Sequence, residues 1–216
     1  MRKYLEIGGV VATVILIVFG VVAIALGVNG RSTVRDSLKA EQIVGSSDMT
    51  KASIAAEAKA AGLSSSIKLP TANLAGKPIV TGTLAREFAE YMRIHALEAS
   101  GGLTYSQMPE YASADGKGTN NVSLATKNSN GQPIGNPARD TWVTETALTT
   151  ALNASFLAEN VALFGIVTGV AFLLTGIGFG ILVLFGSLQG RREPGLELIG
   201  ERKSKKAAGT TAVPAA

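Results

Sequence analysis

Two long runs without a single charge set the limits on what this chain can fold into. The first, residues 7–30, lies between Glu6 and Arg31 and is 24 residues long. The second, residues 160–190, lies between Glu159 and Arg191 and is 31 residues long, with its apolar heart at 161–186. In a helix, about 20 apolar residues cross a hydrocarbon core of about 30 Å. The buried helix of a soluble core seldom runs so far without one charged residue on its outer face. Both runs therefore predict transmembrane helices. The first also has the short positive start of a signal peptide, Arg2-Lys3. Its apolar run exceeds the roughly 7–15 residues of a signal h-region, though, and the weak Ala23-Ile24-Ala25 cleavage pattern falls inside it. An uncleaved anchor is expected.

Charge placement predicts the orientation. The whole chain carries a net charge of +4, with 20 Lys and Arg against 16 Asp and Glu. The segment 31–159 holds 12 basic and 12 acidic residues and is neutral. The excess sits at the ends: Arg2 and Lys3 against Glu6, and then Arg191, Arg192, Arg202, Lys203, Lys205 and Lys206 against Glu193, Glu197 and Glu201. Cations close to the spans mark the cytoplasmic side, whereas long loops translocate largely regardless of charge. The expected topology is a cytoplasmic N-terminus (1–6), a first span (7–30), a helical extracytoplasmic domain (31–159), a second span (160–190) and a basic, disordered cytoplasmic tail (191–216). The tail cations would also attract anionic lipid headgroups, at about 1 kcal/mol each. A basic charge placed in this way is a topology signal, and no nucleic-acid partner is expected.

The central segment reads as mainly α. Residues 31–42 continue or restart a helix, with Ser32 as a candidate cap, until Gly45-Ser46-Ser47 breaks it. Asp48 or Thr50 can cap a second helix that Gly62 closes. Residues 64–82, with Pro70 and Pro78, read as loop or extended chain. The clearest soluble helix is 84–99, where Leu84, Phe88, Tyr91 and His95 share a stripe and Arg86–Glu90 is an i,i+4 pair. Residues 111–135 are rich in Gly, Asn, Ser and Lys without any hydrophobic period, and read as a flexible or Ω-like loop. Asn136-Pro137 is an N-cap followed by proline at the first helical position, and no proline follows before Pro194. A helix of some 50 residues is expected from there through the second span. Its first part would form a stalk lined by Trp142, Thr149, Leu152 and Phe156 and packed against the 84–99 helix and the helices near the first span.

Glycine spacing suggests how the spans meet. Gly165, Gly169, Gly176 and Gly180 are spaced 4, 7 and 4 apart and share one face of a helix, with Phe172 between the pairs. In the first span Gly9, Ala12, Gly20, Ala23 and Gly27 are read as keeping to one side. Lipid supplies no hydrophobic drive between helices, so small residues act by letting backbones approach. A tight two-helix hairpin is expected, with self-association or a larger membrane complex as an extension of it.

Candidate chemistry is sparse. There is no cysteine, which excludes disulfides and thiolate-ligated zinc, and His95 is the single histidine. His95, flanked by Glu90, Arg93 and Glu98, reads as a packed or surface side chain, and Glu87, Glu90 and Glu98 as a solvated helix face. The segment from Asp115 to Asn121 lacks the alternating acids and terminal Glu of a calcium loop. Asn121-Val122-Ser123 and Asn153-Ala154-Ser155 fit the short glycosylation pattern. No phosphate-binding loop, nucleophile elbow or dinucleotide fingerprint occurs, and neither span holds an ionisable residue. No catalytic, metal or cofactor residues are expected.

Three stretches carry a family resemblance: the opening RKYLEIGGVVATVILIVFGVVAIALGVNGRSTV, then EFAEYMRIHALEASGGLTYSQMPEY, then NPARDTWVTETALTTALNASFLAENVALFGIV. With the two-span layout, the chain resembles a group of actinobacterial membrane proteins of unknown role, often catalogued automatically as aromatic ring-opening dioxygenases. The resemblance implies a membrane location and carries over no site residues. A non-haem iron site of that kind takes two histidines and a carboxylate, and one chain here offers a single imidazole. The expected function is a non-enzymatic structural, scaffold or accessory subunit in the plasma membrane. An extracytoplasmic ligand-binding or sensory protein, using 111–135 as a lid, is the alternative.

Overall fold

The computed structural model describes residues 2–189. Four helices carry the chain: α1 (Arg2–Ala40), α2 (Lys51–Ala60), α3 (Gly82–Ala99) and α4 (Pro137–Gln189). Among the described residues there is no strand, only isolated bridges in the connections. The restart considered after Asn29-Gly30 does not occur, and α1 runs on to Ala40. Asn136 starts α4 as its spacing predicts, accepting a hydrogen bond from the Ala138 N–H at 3.1 Å. Both α1 and α4 contain stretches long and apolar enough to cross a membrane, and only 6% and 11% of their most apolar 18-residue windows is buried. The chain divides into two compact units. One comprises α1 up to Leu26 and α4 from Gly165, and the other is Gly27–Phe164. The second unit extends a few residues beyond the 31–159 segment at each end.

In the first unit the two helices approach through glycine. A Cβ placed on Gly20 would lie 2.8 Å from the Gly169 carbonyl oxygen, and one on Gly169 would lie 2.7 Å from the Gly20 oxygen. Such a separation is possible only where neither residue has a side chain. Further along the pair, a Cβ on Gly176 would meet Ile17 at 2.9 Å and one on Gly180 would meet Thr13 at 3.0 Å. At the far end a Cβ on Gly9 would meet Val183 at 2.6 Å. Gly165 is half-buried, and Phe172 is exposed. The sequence pattern puts Ala12 on this face, but Ala12 is exposed and Thr13 takes its place. The physical reason is the repeat of a packed pair: Thr13 and Gly20, like Gly169, Gly176 and Val183, follow a seven-residue spacing, which keeps a seam facing its partner. The Thr13 hydroxyl donates to the Gly9 carbonyl at 2.8 Å, so this polar group is satisfied on the seam.

In the 27–164 unit the core gathers around α3. Tyr91, Ile54, Leu74, Ile79 and Ile94 are wholly buried, joined by Phe88, Ala85, Ala89, Leu38, Met49 and Leu152. Thr50 and Thr81 cap α2 and α3, each side chain accepting the N–H three residues on. Gly62, at φ +65°, closes α2 in the left-handed conformation that glycine adopts freely. Residues 43–45 lie along 74–79, with the Ile79 N–H donating to Ile43 and the Gly45 N–H to Lys77. The approach is so close that a Cβ on Gly45 would lie 2.1 Å from the Leu74 oxygen. The buried face of α3 is wider than the stripe read from sequence, because Ala85, Ala89, Ile94, Ala96 and Leu97 are also buried while Leu84 and His95 are only half-buried. A helix packed on more than one side loses the simple period of a surface helix.

Of the two readings of 111–135, flexible or Ω-like, the structure has the self-contained one, with the segment knitted to itself. Tyr111 bridges both Thr119 and Gly135, Ser113 bridges Ala125, and Lys127 bridges Pro133. Asp115, Asn121 and Asn128 each accept the N–H two residues on, at 3.1, 2.9 and 3.0 Å. These Asx turns replace a hydrophobic pattern as the source of local order.

The glycine seam yields a paired prediction. Gly169→Leu should lower thermal stability in detergent by about 1–3 kcal/mol, the usual scale of overpacking. Gly178→Leu, with nothing within 4 Å of its Cβ position, should stay within about 0.5 kcal/mol of wild type. Melting curves followed by circular dichroism check the pair, and equal effects would contradict the close approach.

Candidate functional site

Within the 27–164 unit, α2 and α3 bring three metal-capable side chains together. Ile54 is wholly buried and anchors α2, and Glu57, one turn later, lies on the same face as Ile54. On α3, His95 and Glu98 stand three residues apart and so share a face. His95 Nδ1 lies 2.7 Å from Glu57 Oε1. One ligand atom from each of Glu57, His95 and Glu98 falls within 4.8 Å of the others. His95 and Glu57 are half-buried and Glu98 is exposed. Burial pushes the Glu57 carboxyl above its ordinary value, against the lowering effect of the His95 hydrogen bond and charge, and the Glu98 carboxylate adds to the rise. When Glu57 is ionised its oxygen can only accept, so Nδ1 then carries the proton of the shared bond. His95 also forms part of the wall of a groove of about 530 Å³, with Met92, Ala96, Thr144, Glu145 and Leu148.

A second groove, of about 420 Å³, holds mixed charge between α3 and α4. Arg93 lies over the Trp142 ring at 4.1 Å and donates to Glu145 Oε2 at 3.3 Å. Glu145 is buried, and its other oxygen has no partner among the described residues. Arg86 stacks over Phe156 at 4.7 Å. Lys68 pairs with Glu90. Glu87 accepts from the Thr71 hydroxyl and from the N–H groups of Thr71 and Ala72. Burial raises the Glu87 carboxyl, but the Thr71 and Ala72 hydrogen bonds outweigh it and hold the group below its ordinary value. The acids of α3 read as a solvated face are thus half-buried partners of other segments, except for Glu98. Periodicity reveals only the Arg86–Glu90 pair within α3, and the other partners come from elsewhere in the chain.

The third constellation centres on Glu159. Its Oε1 accepts from Arg31 Nε at 3.0 Å and Arg35 Nε at 2.9 Å, and its Oε2 accepts the Gly82 N–H at 2.6 Å. One carboxylate thus joins the last turns of α1, the start of α3 and the middle of α4. A Cβ on Gly82 would lie 2.8 Å from the Phe156 Cα, so glycine is what allows the start of α3 to come this close. Burial raises the Glu159 carboxyl, but the hydrogen bonds from Arg31, the Gly82 N–H and Arg35 together hold it below its ordinary value. In the sequence, Glu159 and Arg31 stand out only as the charges that bound the spans. The available signal was Arg31 and Arg35 at i,i+4 near one apolar run, with a lone acid beside the other.

The remaining expected site residues are placed as follows. Gly9, Gly20, Gly165, Gly169, Gly176 and Gly180 belong to the helix pair of the first unit, while Gly27 belongs to the second unit and is buried. The tail cations Arg191, Arg192, Arg202, Lys203, Lys205 and Lys206 lie outside the described residues. Asn121 is engaged in an Asx turn, and Asn153 lies within α4 instead of in a surface loop. Comparison with family models, with curated proteins and with solved structures gave no match.

The Glu159 hub makes a testable demand on stability. Glu159→Ala should cost about 1–3 kcal/mol, the scale of hydrogen bonds to a charged group, discounted because Arg31 and Arg35 are 41% and 37% exposed. Glu159→Gln should cost less, since an amide oxygen still accepts from Gly82. The folded carboxyl titrates lower than the unfolded one. Its stabilisation is therefore complete above the unfolded value of about 4.3 and is lost as pH falls through the lowered folded value. Denaturation measured from neutral pH downward should show a shallower acid loss in Glu159→Gln than in wild type, and identical slopes would contradict the assignment.

Proposed function

We propose that the chain is an integral plasma-membrane protein that crosses the bilayer twice, keeps both termini in the cytoplasm and holds residues 31–159 outside. In this reading it serves as a non-enzymatic structural, scaffold or accessory subunit. The observation that carries the reading is the pair of long apolar helices. Their apolar side chains stay exposed while their glycines face each other, which is the arrangement expected of a hairpin solvated by lipid. The placement of cations at both chain ends supports the orientation. The resemblance to actinobacterial two-span proteins points the same way. Because the glycine seam is taken up within the chain, contacts to another subunit or a second copy would use the outward apolar residues or the helical unit.

The ligand-binding reading has its own support in the two grooves that α3 and α4 form, one of them lined by Arg86, Arg93, Lys68, Glu90 and Glu145. Purification from native membranes in a mild detergent separates the two. After an alkaline carbonate wash the protein should remain in the membrane pellet, and it should then elute with a protein partner in fixed ratio. A bound small molecule in place of a protein favours the ligand-binding reading. A bare monomer contradicts both, and release by carbonate contradicts membrane insertion itself.

A further inference from the structure

We propose that Glu57, His95 and Glu98 form a binding site for a single divalent transition-metal ion of the Zn²⁺ type. The donor set is one imidazole nitrogen and two carboxylate oxygens. Imidazole selects borderline ions such as Zn²⁺, Ni²⁺ or Cu²⁺, while a site with no thiolate or thioether does not favour soft Cu⁺. Carboxylates alone would suit Mg²⁺ or Ca²⁺, but these ions take six or more oxygens, and a single imidazole in a three-ligand set works against them.

The geometry is that of a chelate built on two rigid helices. His95 and Glu98 stand one turn apart on α3, so their separation is set by the helix itself. Glu57 is fixed from the opposite side by the Thr50 cap and by the wholly buried Ile54. All three ligand atoms already fall within 4.8 Å of one another. With bonds of about 2.1 Å, a tetrahedral ion needs its ligand atoms roughly 3.4 Å apart. The 2.7 Å contact between His95 and Glu57 must therefore open by a fraction of an ångström, within reach of side-chain rotation at half-buried positions.

Charge and surroundings favour the same occupant. Two carboxyl groups converge on one imidazole at a half-buried place, and a divalent cation there would be held by all three and would offset the repulsion between the two carboxyls. The groove of about 530 Å³ beside His95 leaves room for water to complete the coordination sphere. Every contact invoked lies within residues 27–164, so the site is the same whichever side of a membrane that unit faces.

The test is isothermal titration of the untagged full chain in detergent, stripped of metal by a chelator, with Zn²⁺ and separately with Mg²⁺. The expected result is one Zn²⁺ per chain and no comparable binding of Mg²⁺. Substitution of a direct ligand should weaken affinity by at least the roughly tenfold seen for partners outside the coordination sphere. His95→Ala, Glu57→Gln and Glu98→Gln should each show this loss. Glu98 is exposed, so Glu98→Gln leaves the packing intact and keeps the test valid if either other variant fails to fold. Co²⁺ in place of Zn²⁺ should give visible d–d absorption in wild type that Glu98→Gln weakens. Absence of Zn²⁺ binding, Zn²⁺ binding unchanged in Glu98→Gln, or equal affinity for Mg²⁺ each overturns the proposal.

Discussion

The Glu159 carboxylate is shared by three helices, and the arrangement of the 27–164 unit depends on that sharing. A buried carboxylate is tolerated only when its oxygens are satisfied, and here two guanidinium groups from α1 and the first N–H of α3 do so. The start of α3 is thereby fixed against α4, and α3 in turn carries the side chains around which the core closes. The same residue stands at the edge of an uncharged run, as Arg31 stands at the edge of the other. The charges that bound the apolar segments thus also fasten together the helices that leave them.

From that fixed start, α3 distributes the chemistry of the unit. Its buried residues face the core, Glu87 and Glu90 hold the 68–72 segment, and Arg86 and Arg93 stack on the aromatic rings of α4. Its last turns carry His95 and Glu98 to Glu57 on α2. Cation–π contacts of this kind contribute on the order of 0.5–2 kcal/mol each. They do so while leaving the guanidinium groups free to pair with Glu90 and Glu145. The result is a unit with no disulfide, held by helix packing and by charges that are paired across elements.

The parts legible in the sequence are those that depend on near neighbours. The apolar helices follow from uncharged length, the start of α4 from Asn136-Pro137 and the end of α2 from Gly62, and three glycines of the 4-7-4 spacing, Gly169, Gly176 and Gly180, stand where the two long helices approach. Thr13 in place of Ala12 marks the limit of that reading, since a helix viewed alone does not reveal where its partner lies. The pairing of Glu57 with His95, the convergence on Glu159 and the burial of the α3 acids join residues tens of positions apart, and no local period encodes them. The order of 111–135 was encoded, but in Asx spacings at Asp115, Asn121 and Asn128 and not in hydrophobicity.

The proposed topology, with two helices crossing a bilayer and residues 31–159 outside, is open to site-directed thiol labelling. The chain has no cysteine, so one introduced thiol reports without background. A membrane-impermeant maleimide applied to intact cells should label Ser129→Cys, an exposed position in the 111–135 segment, and should label Ser204→Cys only after permeabilisation. Labelling of Ser204→Cys but not Ser129→Cys in intact cells, or of both, would rule out this topology.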